Sequence, residues 1–290
     1  MMLNLYSQAL VSGILIGGVY ALIGIGLTLI FGVMRVINFA HGEIMMVGMY
    51  LTYTIFTKFN LDPYISLVFT VPLMFAFGAF LQTVFINRVL NALAENQILL
   101  TIGLGLILSS TAQMIFTSDY KILTTTYSSE SYKLAGLSFS APMLLSFLIT
   151  CVLITLLYLF LKKTDTGLAI HATAQDRDAA KLMGINVKWI SILTFGLGSS
   201  LAGVAGALIA PTYYIFPQVG GAFTLKAFII TVLGGMGSVV GAGLGGVAIG
   251  IAESVGAVTF SSGWKDVVVY VLFLAVLLIK PSGLFGKSRM

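Results

Sequence analysis

Eight times along this chain, apolar residues run on for roughly the 20 positions that an α-helix needs to cross the hydrocarbon core of a bilayer. The runs cover 9–33, 43–58, 64–86, 98–117, 142–161, 190–210, 225–256 and 266–280. A soluble fold cannot absorb so many. Charged residues make up only 9% of the 290 positions, against about 25% in a soluble domain. That leaves too little polar surface to wet an exterior, so lipid must be the main solvent. Backbone polar groups in lipid need partners within the segment, which selects helices. The expected fold is therefore all-α: one polytopic membrane domain over residues 1–290.

Charge then orients the chain. The net charge is +5, but the basic residues flank apolar runs instead of forming a groove for phosphates, which argues against nucleic acid. The linker 162–189 opens with Lys162 and Lys163 and continues through Arg177, Lys181 and Lys188. The linker 118–141 is rich in Ser, Thr and Tyr and carries only Asp119, Lys121, Glu130 and Lys133. The positive-inside rule places 162–189 in the cytoplasm and 118–141 outside. Arg88, Lys287 and Arg289 also read as cytoplasmic. The single cysteine, Cys151, excludes an intrachain disulfide and a Cys-based metal site, and His41 and His171 lack metal-ligand spacing. The first apolar run is longer than a signal-peptide core and reads as a retained span.

Two of the runs carry interruptions. Asn38-Phe39-Ala40-His41-Gly42-Glu43 separates the first two, and Gly234-Gly235-Met236-Gly237-Ser238 falls inside the long run 225–256. Parity supports the second break: from an external 211–224 to a cytoplasmic C-terminus the chain must cross an odd number of times, and two simple spans would not do so. The run 225–256 is therefore expected to be broken and re-entrant. Broken backbone at membrane depth is tolerated where it lines protein or a water-filled path, so Asn38, His41, Gly42, Glu43, Gly234, Gly235, Gly237, Ser238 and Glu253 are candidate pathway residues. Each break precedes a helix rich in Gly or Met and then another span, which suggests two structural repeats. Interfacial pairing of Arg35 with Glu43 is the plainer alternative for that part of the first break. Lys226 and Glu253 are a candidate pair across the second. Gly237, Gly241 and Gly245 follow a small-x3-small pattern suited to close helix packing.

Within 162–189, the stretch from Thr173 to Gly184 reads as a short helix. Thr173 and Asp176 have capping-box spacing, the acids Asp176 and Asp178 sit near its positive start, and Gly184 suits the residue after its end. Ala179, Ala180, Leu182 and Met183 give it an apolar patch, the mark of a docking element for a cytoplasmic partner.

Asp178-Ala179-Ala180-x3-Gly184 resembles the Glu-Ala-Ala-x3-Gly loop of ABC-importer permeases, with Asp for the usual Glu. Tyr20-Ala21-Leu22, Ile30-Phe31-Gly32 and Ile37 to Glu43 look like the start of branched-chain amino-acid permeases of the LivH type. Lys226-Ala227-Phe228, Leu233 to Ser238, Gly250-Ile251-Ala252-Glu253 and Lys265-Asp266-Val267-Val268 resemble the C-terminal half of the same family. The resemblance covers nearly the whole chain. It implies a transport subunit of a bacterial-type inner membrane, without chemistry of its own. Its partners would be a second homologous permease, two cytoplasmic ATPase subunits that bind the ATP, and an external substrate-binding protein. Residues 173–184 would be the ATPase-coupling helix, and no cofactor or metal is expected on the chain. Gly283-Leu284-Phe285-Gly286-Lys287-Ser288 is not a P-loop, because Pro281 stands where the first glycine belongs. Urea or a short amide is the alternative cargo. An ion-coupled secondary transporter is the alternative class, with Glu43 and Glu253 as possible carboxylates for its ion site.

Overall fold

The computed structural model describes residues 2–128, 130–134, 137–280 and 283. Lys287, Arg289 and most of the Gly283–Ser288 stretch lie outside the described residues. In chain order the elements are α1 (Met2–Met34), α2 (His41–Phe59), α3 (Leu67–Leu81), α4 (Asn87–Val89), α5 (Ala94–Phe116), β1 (Ser131–Leu134), β2 (Leu137–Ser140), α6 (Ala141–Lys163), α7 (Asp165–Gln175), α8 (Arg177–Leu182), α9 (Val187–Ile209), α10 (Val219–Gly234), α11 (Val239–Thr259) and α12 (Lys265–Ile279). A π-helical turn, Gln82–Ile86, joins α3 to α4. Among the described residues seven helices are long and apolar enough to cross a bilayer, and α10 is a shorter apolar helix. The chain is an all-α multi-pass membrane protein. Among the described residues the one sheet is the antiparallel β1–β2 hairpin inside 118–141, which pairs Ser131 with Ser140 and Leu134 with Leu137.

Local chemistry sets the helix ends. Asn60, with φ 52°, closes α2 in the left-handed region. Pro142 stands in the first turn of α6, where a missing N–H costs nothing. Thr164 caps α7 by accepting from Gly167 N at 3.0 Å, and Asn186 caps α9 by accepting from Trp189 N at 3.0 Å.

Two helices form the centre. In α1 and α9, 83% of the apolar window is buried, against 6% in the last span. They pack through glycine on both sides: a Cβ on Gly26 would lie 2.7 Å from Gly198 O, and one on Gly198 would lie 2.7 Å from Gly26 O. Without Cβ atoms the two backbones come close enough to gain dispersion contact that lipid cannot match. The α1–α11 crossing works in the same way and is antiparallel. A Cβ on Gly13 would lie 2.7 Å from Ile251 Cα and one on Gly17 2.8 Å from Val247 Cα, and Gly246 and Gly250 face Ala21 and Gly17 in return. Of the expected small-residue stripe, Gly241 and Gly245 instead turn toward Gly234 and Ile230 of α10.

The second interruption differs from its expected form. The run 225–256 is not one broken span; it is a helical hairpin, α10 against α11. Gly235 (φ 91°) and Gly237 (φ 93°) make the reversal, Ser238 N donates to Gly235 O at 2.9 Å, and Ser238 Oγ caps α11 through Gly241 N at 3.1 Å. The turn sits near the C-terminal end of α1, where Gly32 and Gly237 approach. Gly234, Gly235, Gly237 and Ser238 therefore lie toward one end of the molecule, not at mid-depth. Three helices now follow 211–218, so the parity requirement is met by the hairpin itself.

The contacts set α1–α3 against α9–α11. The central helices α1 and α9 face each other at Gly26 and Gly198. Each long helix also packs the short helix of the other half: Thr28 Oγ1 of α1 lies 3.1 Å from Thr231 Oγ1 of α10, and Gly206 of α9 approaches Met49 of α2. The segments 35–40 and 210–218 each lead into the helix that packs against the long helix of the other half, whereas 235–238 closes a hairpin. The physical reason is that a strand of chain returning into the bundle needs a facing partner, and glycine-flanked helix starts provide it on both sides.

Candidate functional site

The two re-entering segments meet inside the bundle. Asn38 Oδ1 accepts from Ala40 N at 3.1 Å and shapes the break. His41, Gly42 and Glu43 belong to the first turn of α2, not to the break itself. His41 Nε2 lies 3.0 Å from Ile23 O, so it donates to that carbonyl and leaves Nδ1 as an acceptor. That contact sets the depth: Ile23 stands about 16 Å up α1 from Met34 at the helical rise, about half the thickness of a ~30 Å hydrocarbon core. Gly42 meets Gly220 of α10, whose added Cβ would lie 2.8 Å from Glu43 Cα. The starts of α2 and α10 therefore abut near mid-depth.

Thr224 of α10 ties them together. Its Oγ1 accepts from Gly42 N at 2.9 Å and lies 3.1 Å from Glu43 Oε2 and 3.3 Å from Phe39 O, between which its single proton is shared. Beside this junction a crevice of about 230 Å³ is lined by Phe39, Glu43, Gly105, Leu106, Gly221 and Thr224, with Ile102, Ser109 and Leu225 completing the wall. Glu43 and Arg35 do not form an ion pair. Asn38 Nδ2 and His41 Nδ1 are buried without a partner.

A second polar cluster lies on the other flank of α10. Lys226 Nζ is 2.8 Å from Glu253 Oε2 and 3.5 Å from Asp266 Oδ1, and Lys265 Nζ is 3.5 Å from Glu253 Oε1. The Lys226–Glu253 pairing read from the sequence is present, joining α10 to α11 away from the 235–238 turn. Lys226 also donates to Tyr20 OH at 3.3 Å and sits 5.0 Å from that ring's centroid and 5.7 Å from that of Phe223. Two ammonium groups and two carboxylates leave the cluster neutral, so it joins α1, α10, α11 and α12 without offering a free charge.

The remaining candidates gather at the end of the molecule that carries Lys162, Lys163 and Arg177. Thr173 does not cap a helix: it is buried in α7 and its Oγ1 donates to Ala169 O at 2.7 Å. A hydroxyl in a continuing helix finds the preceding turn's carbonyl more readily than a distant amide. The cap is Asp176 alone, whose Oδ1 accepts from Asp178 N at 2.9 Å and Ala179 N at 3.0 Å. Those two N–H groups, that of Ala179 first, hold the Asp176 carboxyl below its ordinary pKa, and Arg35 adds to the effect. Helix α8 ends at Leu182, and Gly184 takes φ 84° with open space around it. Ala180 is buried, whereas Leu182 and Met183 are 89% and 82% exposed.

Sequence reasoning missed Thr224, Gly220, Gly221 and Tyr20. The Gly220-Gly221 pair just before an apolar helix was the available signal. Thr224 carried none, because a hydroxyl inside an apolar helix usually bonds its own backbone.

Comparison with known proteins agrees with this architecture. A family model described as branched-chain amino acid transport system / permease component matches residues 9–277. The high-affinity branched-chain amino acid transport system permease protein BraD of Pseudomonas aeruginosa is 34% identical, over 98% of this chain and 97% of its own. LivH of Escherichia coli K12, with the same description, is 31% identical over 98% and 96%. A probable LivH of Methanocaldococcus jannaschii is 30% identical over 94% and 90%. No solved structure matches the chain. With the family model spanning almost all of its helices, the chain belongs to the family of permease components of branched-chain amino acid transport systems.

Proposed function

We propose that this permease is one half of the translocation path of an ATP-driven importer for leucine, isoleucine, valine or a similarly apolar amino acid. The observation that carries the energetic part is the tip of α8. Leu182 and Met183 project from a capped helix at the basic end of the molecule, exposed to water with nothing to cover them. Apolar side chains held out on a rigid, capped turn suit a groove on another protein. That end is cytoplasmic by its Lys and Arg content. Its partner is an ATPase subunit, and ATP is hydrolysed there and not on this chain.

The complete assembly holds a second, related permease, two ATPase subunits and an external binding protein that delivers substrate at the β1–β2 end. Branched-chain substrates are supported by the relatives described as branched-chain amino acid permeases, which match along nearly their full length. The test is reconstitution of the chain with those partners in liposomes. ATP- and binding-protein-dependent uptake of radiolabelled leucine is the expected result. Uptake of urea or a short amide instead moves the cargo to that class, and uptake by this chain alone under an ion gradient overturns the importer reading.

A further inference from the structure

Two carboxylates within the apolar runs are treated differently by the fold: Glu253 is buried and Glu43 half-buried. Glu253 faces two lysines. Glu43 stands beside the junction of α2 and α10 with no cation among the described residues within ion-pair distance; its only side-chain partner is the Thr224 hydroxyl, on Oε2. An ionisable group inside a membrane is expensive, and such groups face one another or a water-filled cavity. Glu43 faces the crevice.

The rest of the crevice has a matching division of labour. Phe39, Ile102, Leu106 and Leu225 make apolar walls. Gly105 of α5 lies opposite the carboxylate, where an added Cβ would be 3.4 Å from Glu43 Cδ. Gly221 lies in the first turn of α10, whose start has no side-chain cap. The first-turn amides of α10 and the positive end of its helix dipole therefore border the same space, as suits an anionic group. A carboxylate, an uncapped helix start and aliphatic walls within about 230 Å³ complement an ammonium, a carboxylate and an aliphatic side chain in turn.

We propose that this crevice is a substrate subsite within the permease, in which Glu43 binds the ammonium group of the amino acid while Thr224 fixes the orientation of the carboxylate. The inference rests on the amino-acid importer reading and adds to it a site and a role: the carboxylate that has no cation beside it among the described residues is completed by the cargo's own cation. A solute without an amino group leaves Glu43 uncompensated, so the subsite discriminates against it.

The test uses the complete transporter in liposomes with radiolabelled leucine. Glu43→Gln keeps the size and the contact with Thr224 but removes the charge, and at least a tenfold loss of uptake is expected, with Glu43→Asp retaining part of it. Gly221→Leu and Gly103→Leu separate location from general disturbance, since an added Cβ meets nothing at either position. Only the first fills the crevice, so Gly221→Leu loses uptake and Gly103→Leu keeps it. Saturation-transfer NMR on the purified transporter without its binding protein supplies a readout that a structural role would not move. Leucine gives a signal that Glu43→Gln abolishes, while 4-methylpentanoate, its analogue without the amino group, gives none. Leucine uptake by Glu43→Gln within twofold of the parent, or equal binding of the deaminated analogue, overturns the subsite and leaves the importer reading standing. A parent transporter that carries a short amide and no amino acid overturns the reading on which the subsite rests.

Discussion

Lys226 and Glu253 meet at 2.8 Å with both side chains all but sealed from the surroundings, joining the short helix α10 to α11. Such a pair is weak evidence of net stabilisation, because desolvation of the two charges offsets much of their attraction. Removing one partner is another matter.

Lys226→Met leaves Glu253 with only Lys265, whose ammonium lies at 3.5 Å. A loss of about 3 kcal/mol is expected, the low end for breaking a buried pair. The double variant Lys226→Met with Glu253→Leu should recover most of it. Thermal unfolding in detergent checks the order: the single variant melts lowest, and the double lies nearer the parent.

The glycine crossings predict position-specific failure. Gly17→Val places a side chain against Val247 Cα, and Gly26→Val places one against Gly198 O, both backbone atoms that cannot move aside. Overpacking of this kind costs about 1–3 kcal/mol or more. Folded yield after membrane extraction should fall sharply for both, while Gly103→Val, in open space, should extract like the parent.

The cap of α8 predicts a flat pH response. The Asp176 pKa is depressed in the folded state by the amides of Ala179 and Asp178. Its contribution is therefore present above the unfolded value near 3.9 and is lost only as pH falls through the lower folded value. Between pH 5 and 8 the cap is constant. Hydrogen exchange at Ala179 should be insensitive to this residue's titration over that range, once the intrinsic rate is corrected. Asp176→Ala should accelerate the exchange, and Asp176→Asn should leave it nearly unchanged.

At the tip of the same helix, Leu182→Asp and Met183→Asp alter exposed side chains and should leave the permease folded. Copurification of the ATPase subunits is expected to fall at least tenfold. Gly184→Val acts differently, through strain at φ 84° instead of a clash. It should uncouple ATP hydrolysis from uptake while the protein remains in the membrane; normal uptake by this variant counts against docking through α8.

The membrane class, the number of apolar segments and the charge asymmetry between the ends were legible in the residues, because each follows from composition and from the length a span requires. Gly184 was legible as well, since a single backbone angle demanded it. The partner of each small or polar residue was not. Gly235 and Gly237 carry the same signal whether they break a helix at mid-depth or turn a hairpin at its end. Only the approach of Gly237 to Gly32 decides between these. Likewise Glu43 and Glu253 are alike in sequence, each a carboxylate near an apolar run. Packing alone brings Lys226 to one of them and a crevice to the other. Hydrophobic patterning acts along the chain and is written in it. Pairing across helices depends on which faces meet, and in this fold backbone contacts at Gly26, Gly198, Gly42 and Gly220 determine those faces.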